Sequence, residues 1–269
     1  MTTLDVPTAQ APLAPVTEVL AIAGRRLRRL RRNPGRLVGI TLNPLITMIA
    51  LGYLFSNAIQ IPGSANYIEF IFAGVVMQVG LASIGPTAIA VALDVQGGLV
   101  DRFRSLPISR SAVLVGHTIA DLLISLIGLV VVVAVGLVFG WRSHSGILPT
   151  LAGFALVALF IFTVLWVGVL LGMVSDNLET IESVGGLVAV VFSFLSNGFL
   201  SVDKLPSWIQ PIAQYNPVSA VITACRELWG NQAAGPAGPA GANHLVIVLS
   251  LGALFLLLSY VGVRRYRNA

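Results

Sequence analysis

The chain reads as an all-α integral membrane protein, and three observations carry that reading. Of its 269 residues 56% are hydrophobic and 10% charged, with a mean hydropathy of +0.90. A soluble domain carries about 25% charged residues to cover its surface. Six apolar stretches, at about residues 37–59, 68–93, 112–139, 147–174, 181–200 and 244–263, reach the roughly 20 residues a helix needs to cross a hydrocarbon core. Finally, threading those stretches back and forth sorts the basic residues. With both termini inside, Arg25, Arg26, Arg28, Arg29, Arg31, Arg32, Arg36, Arg102, Arg104, Arg110, Arg264, Arg265 and Arg267 are cytoplasmic, and only Arg142, Lys204 and Arg226 fall outside. The positive-inside bias selects that orientation in a cell membrane.

The elements follow in order. Residues 1–15, rich in Pro, Ala and Thr, lack a basic start and an apolar core, and read as a disordered cytosolic tail, not a cleaved signal. In residues 16–36, Val16, Leu20, Ala23, Leu27 and Leu30 form a helical stripe from which Arg25, Arg28, Arg29 and Arg32 point away. Such a helix lies in the membrane interface, arginines among phosphates, until Asn33-Pro34-Gly35 breaks it. The six-span membrane domain occupies 37–269. Its second to fourth stretches are long enough to tilt or to extend beyond the bilayer. The fifth is the least regular, with Glu182, Gly185, Gly186 and Asn197.

Between the second and third spans lies a polar island, 94–110 (DVQGGLVDRFRSLPISR). Leu99, Phe103 and Leu106 share one helical face, with Asp101, Arg102, Arg104 and Ser105 on the others. The pattern predicts a short cytosolic amphipathic helix with one face for the membrane bundle and one for a soluble partner. Between the fifth and sixth spans, 201–243 is external. Trp208, Tyr215 and Trp229 suit the headgroup level. Pro206, Pro211 and Pro217 cut the apolar residues into pieces too short to cross, which predicts one or two short helices dipping back into the membrane.

Ionisable groups inside a membrane are costly and mark candidate sites. Asp121 lies about 15 Å along the third span, with His117 one turn earlier on the same face. Two readings stand. The pair is a polar feature of a transport path or dimer interface, or it is structural, near the cytosolic end and meeting Arg104 or Arg110. Glu69 falls at the outer end of the second span and reads as interfacial. Asp176, Glu179 and Glu182 form a cytosolic acidic loop, either solvated or facing the basic segment or a partner. Gln78, Ser83, Ser193 and Asn197 line a cavity or tie helices together.

Much chemistry is excluded. Cys225 is the sole cysteine, and His117, His144 and His244 are scattered, so neither a disulfide framework nor a metal site is expected. The net charge of +5 fits anionic lipid headgroups better than nucleic acid, because the arginines flank apolar spans. No phosphate-binding G-x-x-x-x-G-K-[ST], H-E-x-x-H or G-x-S-x-G motif occurs. No catalysis by the chain alone is expected.

Two passages, GGLVDRFRSLPISRSAVLVGH (97–117) and KLPSWIQPIAQYNPVSAVITACREL (204–228), in this order of elements, resemble the permease subunits of type 2 ABC exporters, especially those of the daunorubicin/doxorubicin-resistance type. The resemblance covers nearly the whole chain. It implies the type V exporter fold, with the coupling helix at Gly98, Leu99, Asp101, Arg102, Phe103, Arg104, Leu106 and Pro107 and a re-entrant segment including Trp208, Asn216, Pro217 and Arg226. It also implies a separate ATP-binding subunit in two copies, holding ATP and Mg, and a second permease, identical or related. Contacts to that subunit would come from the segment after the second span and from the interfacial helix of Arg25, Arg26, Arg28 and Arg29. Amphipathic substrates such as drugs, lipids or glycolipids would follow. Two other classes remain for comparison: a secondary transporter coupling a proton through His117 and Asp121, and a membrane-embedded lipid enzyme, for which no catalytic cluster gathers on either face.

Overall fold

The computed structural model describes residues 24, 34–54, 67–97, 110–175, 177–200, 202, 205–231 and 244–268. Nine helices lie among them: α1 (Gly35–Leu54), α2 (Tyr67–Ala82), α3 (Ile84–Gln96), α4 (Arg110–Val138), α5 (Ile147–Val174), α6 (Leu178–Phe194), α7 (Gln210–Tyr215), α8 (Pro217–Trp229) and α9 (His244–Asn268). No strand occurs among the described residues. Four helical stretches are long and apolar enough to cross a bilayer: Gly35–Leu54, Tyr67–Gln96, Val115–Val138 and Ile147–Val174. The protein is therefore a multi-pass membrane protein by its fold. The two remaining expected spans are shorter as apolar helices. α6 has 17 residues and stops at Phe194, short of the expected 200, and the apolar part of α9 is Leu249–Gly262.

α2 sits at the centre. Almost all its side chains are buried, from Tyr67 to Leu81, as expected of a helix that is apolar on every face. Ser83 interrupts the rod between α2 and α3, its hydroxyl donating to the Val79 carbonyl at 2.8 Å. α5 is the second organising element and packs against α2, α3, α4, α8 and α9. Its glycines allow this. A methyl group on Gly168 would meet the Ile84 carbonyl at 2.7 Å, and one on Gly172 would overlap the Ala88 carbonyl. α3 and α5 therefore touch backbone to backbone, which small residues permit in membrane bundles. α1 packs on α2 and α4, and α6 on α2 and α3. Many large apolar side chains on α1, α4, α5, α6 and α9 remain exposed, including Ile46, Val130, Leu148, Leu187 and Leu256, as suits faces turned to hydrocarbon.

Candidate functional site

Polar groups gather at two opposite ends of the bundle. The first is where α3 runs on toward α4. Asp121 of α4 is 1% exposed, and its Oδ2 lies 2.8 Å from the Arg36 guanidinium at the start of α1. The Thr87 hydroxyl of α3 donates to the same oxygen at 2.8 Å and accepts from Arg36 Nη2 at 3.3 Å. One hydroxyl thus closes a three-helix triad, and the buried carboxylate has the charged and hydrogen-bonded partners it needs. A turn deeper, the Ser83 and Ser125 hydroxyls stand 2.8 Å apart, either one able to donate, and Ser125 Oγ also lies 2.9 Å from the Asp121 carbonyl. On the other side, toward residue 97, His117 Nε2 lies 3.0 Å from Asp94 Oδ2. Three side-chain pairs thus link α3 and its start to α4, while the close packing of each is on other helices, α3 on α5 and α6 and α4 on α1 and α5.

His117 and Asp121, expected as a pair, thus each have a carboxylate, hydroxyl or guanidinium partner on another helix. The arginine on Asp121 is Arg36. Arg104 and the side chain of Arg110 lie outside the described residues. So do Gly98, Leu99, Asp101, Arg102, Phe103, Arg104, Leu106 and Pro107, and likewise Arg25, Arg26, Arg28 and Arg29, together with Asp176. Glu179 is in the first turn of α6, whose N-cap Asn177 accepts from its backbone N–H at 2.9 Å.

At the opposite end, residues 205–231 are seated by α8. Asn216 caps that helix, its Oδ1 accepting from Val218 N at 2.9 Å, and Pro217 takes the first helical position, where its missing N–H costs nothing. Asn216 Nδ2 also donates to the Phe192 and Leu195 carbonyls at 3.2 and 2.9 Å, closing the end of α6. Gly230 ends α8 with φ +70°, a left-handed cap that glycine adopts freely.

Arg226 is buried and spends its donors on main-chain carbonyls. It reaches Phe70 O from Nε at 3.0 Å and from Nη2 at 2.8 Å, and Asn197 O and Gly198 O from Nη2, each at 3.0 Å. Its guanidinium carbon stands 3.7 Å from the centroid of the Phe70 ring, a cation–π contact in a desolvated place. Asn197 Nδ2 adds a bond to the Thr223 hydroxyl at 2.8 Å, and Tyr67 Oη donates to Phe199 O at 3.1 Å.

Two expectations are corrected here. Trp208 and Tyr215 are 72% and 74% exposed, whereas Trp229 is fully buried. It belongs to an aromatic cluster with Phe72, Trp141 and Phe154, at ring distances of 4.1 to 6.0 Å. Burying an indole this large gains more than leaving it at a headgroup level, and Nε1 keeps a partner in Thr150 O at 3.2 Å. Gly153 provides the room, since a methyl there would overlap that indole. Glu69 is also buried, held 2.9 Å from His144 Nε2. The turn between α4 and α5 is fastened to the end of α8 by His144 N to Trp229 O at 2.8 Å and Asn231 Nδ2 to Arg142 O at 2.9 Å. The Thr150, Trp229 and Arg142 acceptors were not evident in sequence, because each is a main-chain carbonyl far along the chain from its donor.

Ser83 and Asn197 thus act as ties between helices. Gln78 and Ser193 are buried. Among the described residues no group of three or more His, Cys, Asp or Glu side chains could hold a metal ion.

Known proteins show the same organisation of sequence. Residues 17–228 match the ABC-2 type transporter family. The chain is 30% identical over 254 residues to a daunorubicin resistance ABC transporter permease of Streptomyces coeruleorubidus, covering 94% of this chain and 87% of that one. It is 25% identical over 213 residues to a probable doxorubicin resistance ABC transporter permease of Mycobacterium tuberculosis H37Rv, with 78% and 76% covered. A putative transport permease of Porphyra purpurea is 26% identical over 222 residues, with 80% and 75% covered. With its family matched over most of its length and its apolar helices in place, this chain belongs to the ABC-2 type transporter family, as a membrane-embedded permease subunit.

Proposed function

We propose that the chain forms the export path of an ATP-driven pump for amphipathic compounds of the drug, antibiotic, lipid or glycolipid kind, with ATP and Mg held by a separate subunit. Two such subunits and two permeases, identical or related, make the working pump. Six spans cross the cell membrane, the fifth and sixth through α6 and α9, with both termini cytosolic. The N-terminal arginines Arg25, Arg26, Arg28 and Arg29 lie at the inner interface, and α7 and α8 dip into the bilayer from outside.

One observation carries this reading. α3 and α4 flank residues 98–109, and polar side-chain pairs link α3, with Ser83 at its start, to α4: the half-buried Asp94 to His117, Thr87 to Asp121 and Ser83 to Ser125. A force applied to the segment between them reaches both helices, which pack on different neighbours, α3 on α5 and α6 and α4 on α1, α2 and α5, and rigid-body rocking can follow. Phe103 and Leu106 seat the coupling helix, Gly98, Leu99 and Pro107 shape its ends, and Asp101, Arg102 and Arg104 set its electrostatic fit. Replacing Arg102 and Arg104 by Glu abolishes substrate-stimulated ATP hydrolysis in the co-purified complex while the protein stays inserted; unchanged stimulation would defeat the assignment. A proton-coupled carrier is the other reading; against it, the Asp121 carboxylate is paired with an arginine, Arg36, and among the described residues no chain of acidic groups runs from it across the spans.

A further inference from the structure

The triad at Asp121 does more than brace a hairpin, because its cation comes from a third helix. Three helical lengths place it. α1 spans about 30 Å from Gly35 to Leu54, Tyr67 to Thr87 along α2 and α3 is about 30 Å, and Asp121 to Val138 is about 25 Å. The far ends of these runs lie level: a methyl on Gly52 would meet Ile68 at 3.2 Å, and Gly136 faces Phe72. All three runs therefore begin at one far plane and end at Arg36, Thr87 and Asp121, about one hydrocarbon thickness away. α1 begins there, at Gly35. α3 and α4 do not stop: they continue past the triad for about 13 and 16 Å, to Gln96 and Arg110.

We propose that Arg36, Thr87 and Asp121 form the fulcrum of a lever, at the inner face of the membrane, through which the α3–α4 hairpin grips α1. The arm is the length of hairpin beyond the triad, ending in residues 98–109. The load is α1, which joins directly to the arginine-rich stretch 25–32. A push on 98–109 and a push on the N-terminal stretch thus meet at one buried ion pair. This inference rests on the exporter reading for the source of the push, and not for the existence of the joint. Arg36, Thr87 and Asp121 are positioning residues. None is required to touch substrate.

Breaking the pair from one side leaves a charge without its partner, either the buried Asp121 carboxylate or the half-buried Arg36 guanidinium, and destabilises the fold. Replacing both members by apolar residues of similar size removes that penalty, but the grip stays lost. The test therefore compares wild type, Asp121→Asn, Thr87→Val and the double Arg36→Met/Asp121→Leu. Each is purified with its ATP-binding subunit and placed in proteoliposomes, with daunorubicin as the fluorescent transport probe. Thermal unfolding of the same proteins in detergent is read in parallel. Asp121→Asn lowers both the unfolding temperature and the probe moved per ATP hydrolysed. In the double variant the unfolding temperature recovers, while transport per ATP stays down by about fivefold or more, the low end of energetic coupling between sites. Thr87→Val lowers transport per ATP with little change in unfolding. Recovery of transport together with stability would make the pair a brace only and overturn the proposal. So would losses of stability that simply add in the double variant, or a Thr87→Val protein with wild-type coupling. Wild-type vesicles that move no probe with ATP and the ATP-binding subunit present would count against the exporter reading instead; additive losses in the unfolding series, which does not depend on transport, would still overturn the joint.

Discussion

The two ends of the bundle are held together by different physics. At the α4–α5 end, α8 is fixed by an aromatic cluster and by an arginine that donates to three main-chain carbonyls. Those acceptors belong to the backbone, of α2 at Phe70 and of the turn after α6 at Asn197 and Gly198. At the α3–α4 end, α3 packs backbone to backbone on α5 at Ala88, but the polar contacts that link α1, α3 and α4 are single side chains on separate helices: Arg36 on α1, Thr87 on α3 and Asp121 on α4. Such contacts can be remade in a second arrangement as the helices shift. One end is built as an anchor, the other as a joint. For a pump driven from the cytosol, that is the expected division of labour.

Substitutions at each end sharpen or break this contrast. The largest effect is expected at Arg226. Arg226→Leu strands the carbonyls of Phe70, Asn197 and Gly198 and lowers unfolding stability by about 3 kcal/mol, read as a drop in unfolding temperature of the solubilised protein. A loss as small as that of an exposed residue would show that the anchor is elsewhere. Next comes Gly172→Val, which drives a side chain into the Ala88 carbonyl and separates α3 from α5. About 2 kcal/mol is expected from such overpacking, together with impaired transport, since the hairpin is displaced. A smaller loss, about 1 kcal/mol, follows Asn216→Ala, which removes the cap of α8. If it equalled Arg226→Leu, the start of α8 would be as much an anchor as its end. Least affected is Trp208→Ala, within about 0.5 kcal/mol, because the ring is exposed; a larger loss in lipid than in detergent would mark it as a membrane contact.

The local parts of this design were legible in the sequence, and the distant ones were not. Asn216-Pro217 announces a helix start because capping is decided within three residues. The apolar runs announced the four long helical stretches, since hydrophobic length is a local property. Asp121 stood out as a lone carboxylate in an apolar run, but its partners lie 34 and 85 residues away, at Thr87 and Arg36. No local pattern ties them to it. Trp229 and Glu69 were misplaced for a related reason. Aromatic and acidic residues near a span end usually face the interface, and here packing against Phe72, Trp141 and His144 overrode that preference. The end of α6 at Phe194 was missed although Ser196-Asn197-Gly198 is a helix-stop pattern, because Phe199 and Leu200 extend the apolar run beyond it. Asn216 takes the Phe192 and Leu195 carbonyls instead.

The central claim is that these helices form a passive path moved from the cytosolic face by a separate ATP-binding subunit. Its most direct test is daunorubicin movement in proteoliposomes holding this chain, with and without that subunit. Movement that requires both the subunit and ATP, and that ignores an imposed pH gradient, is the predicted result. Movement by the chain alone, driven by the gradient without ATP, would contradict it.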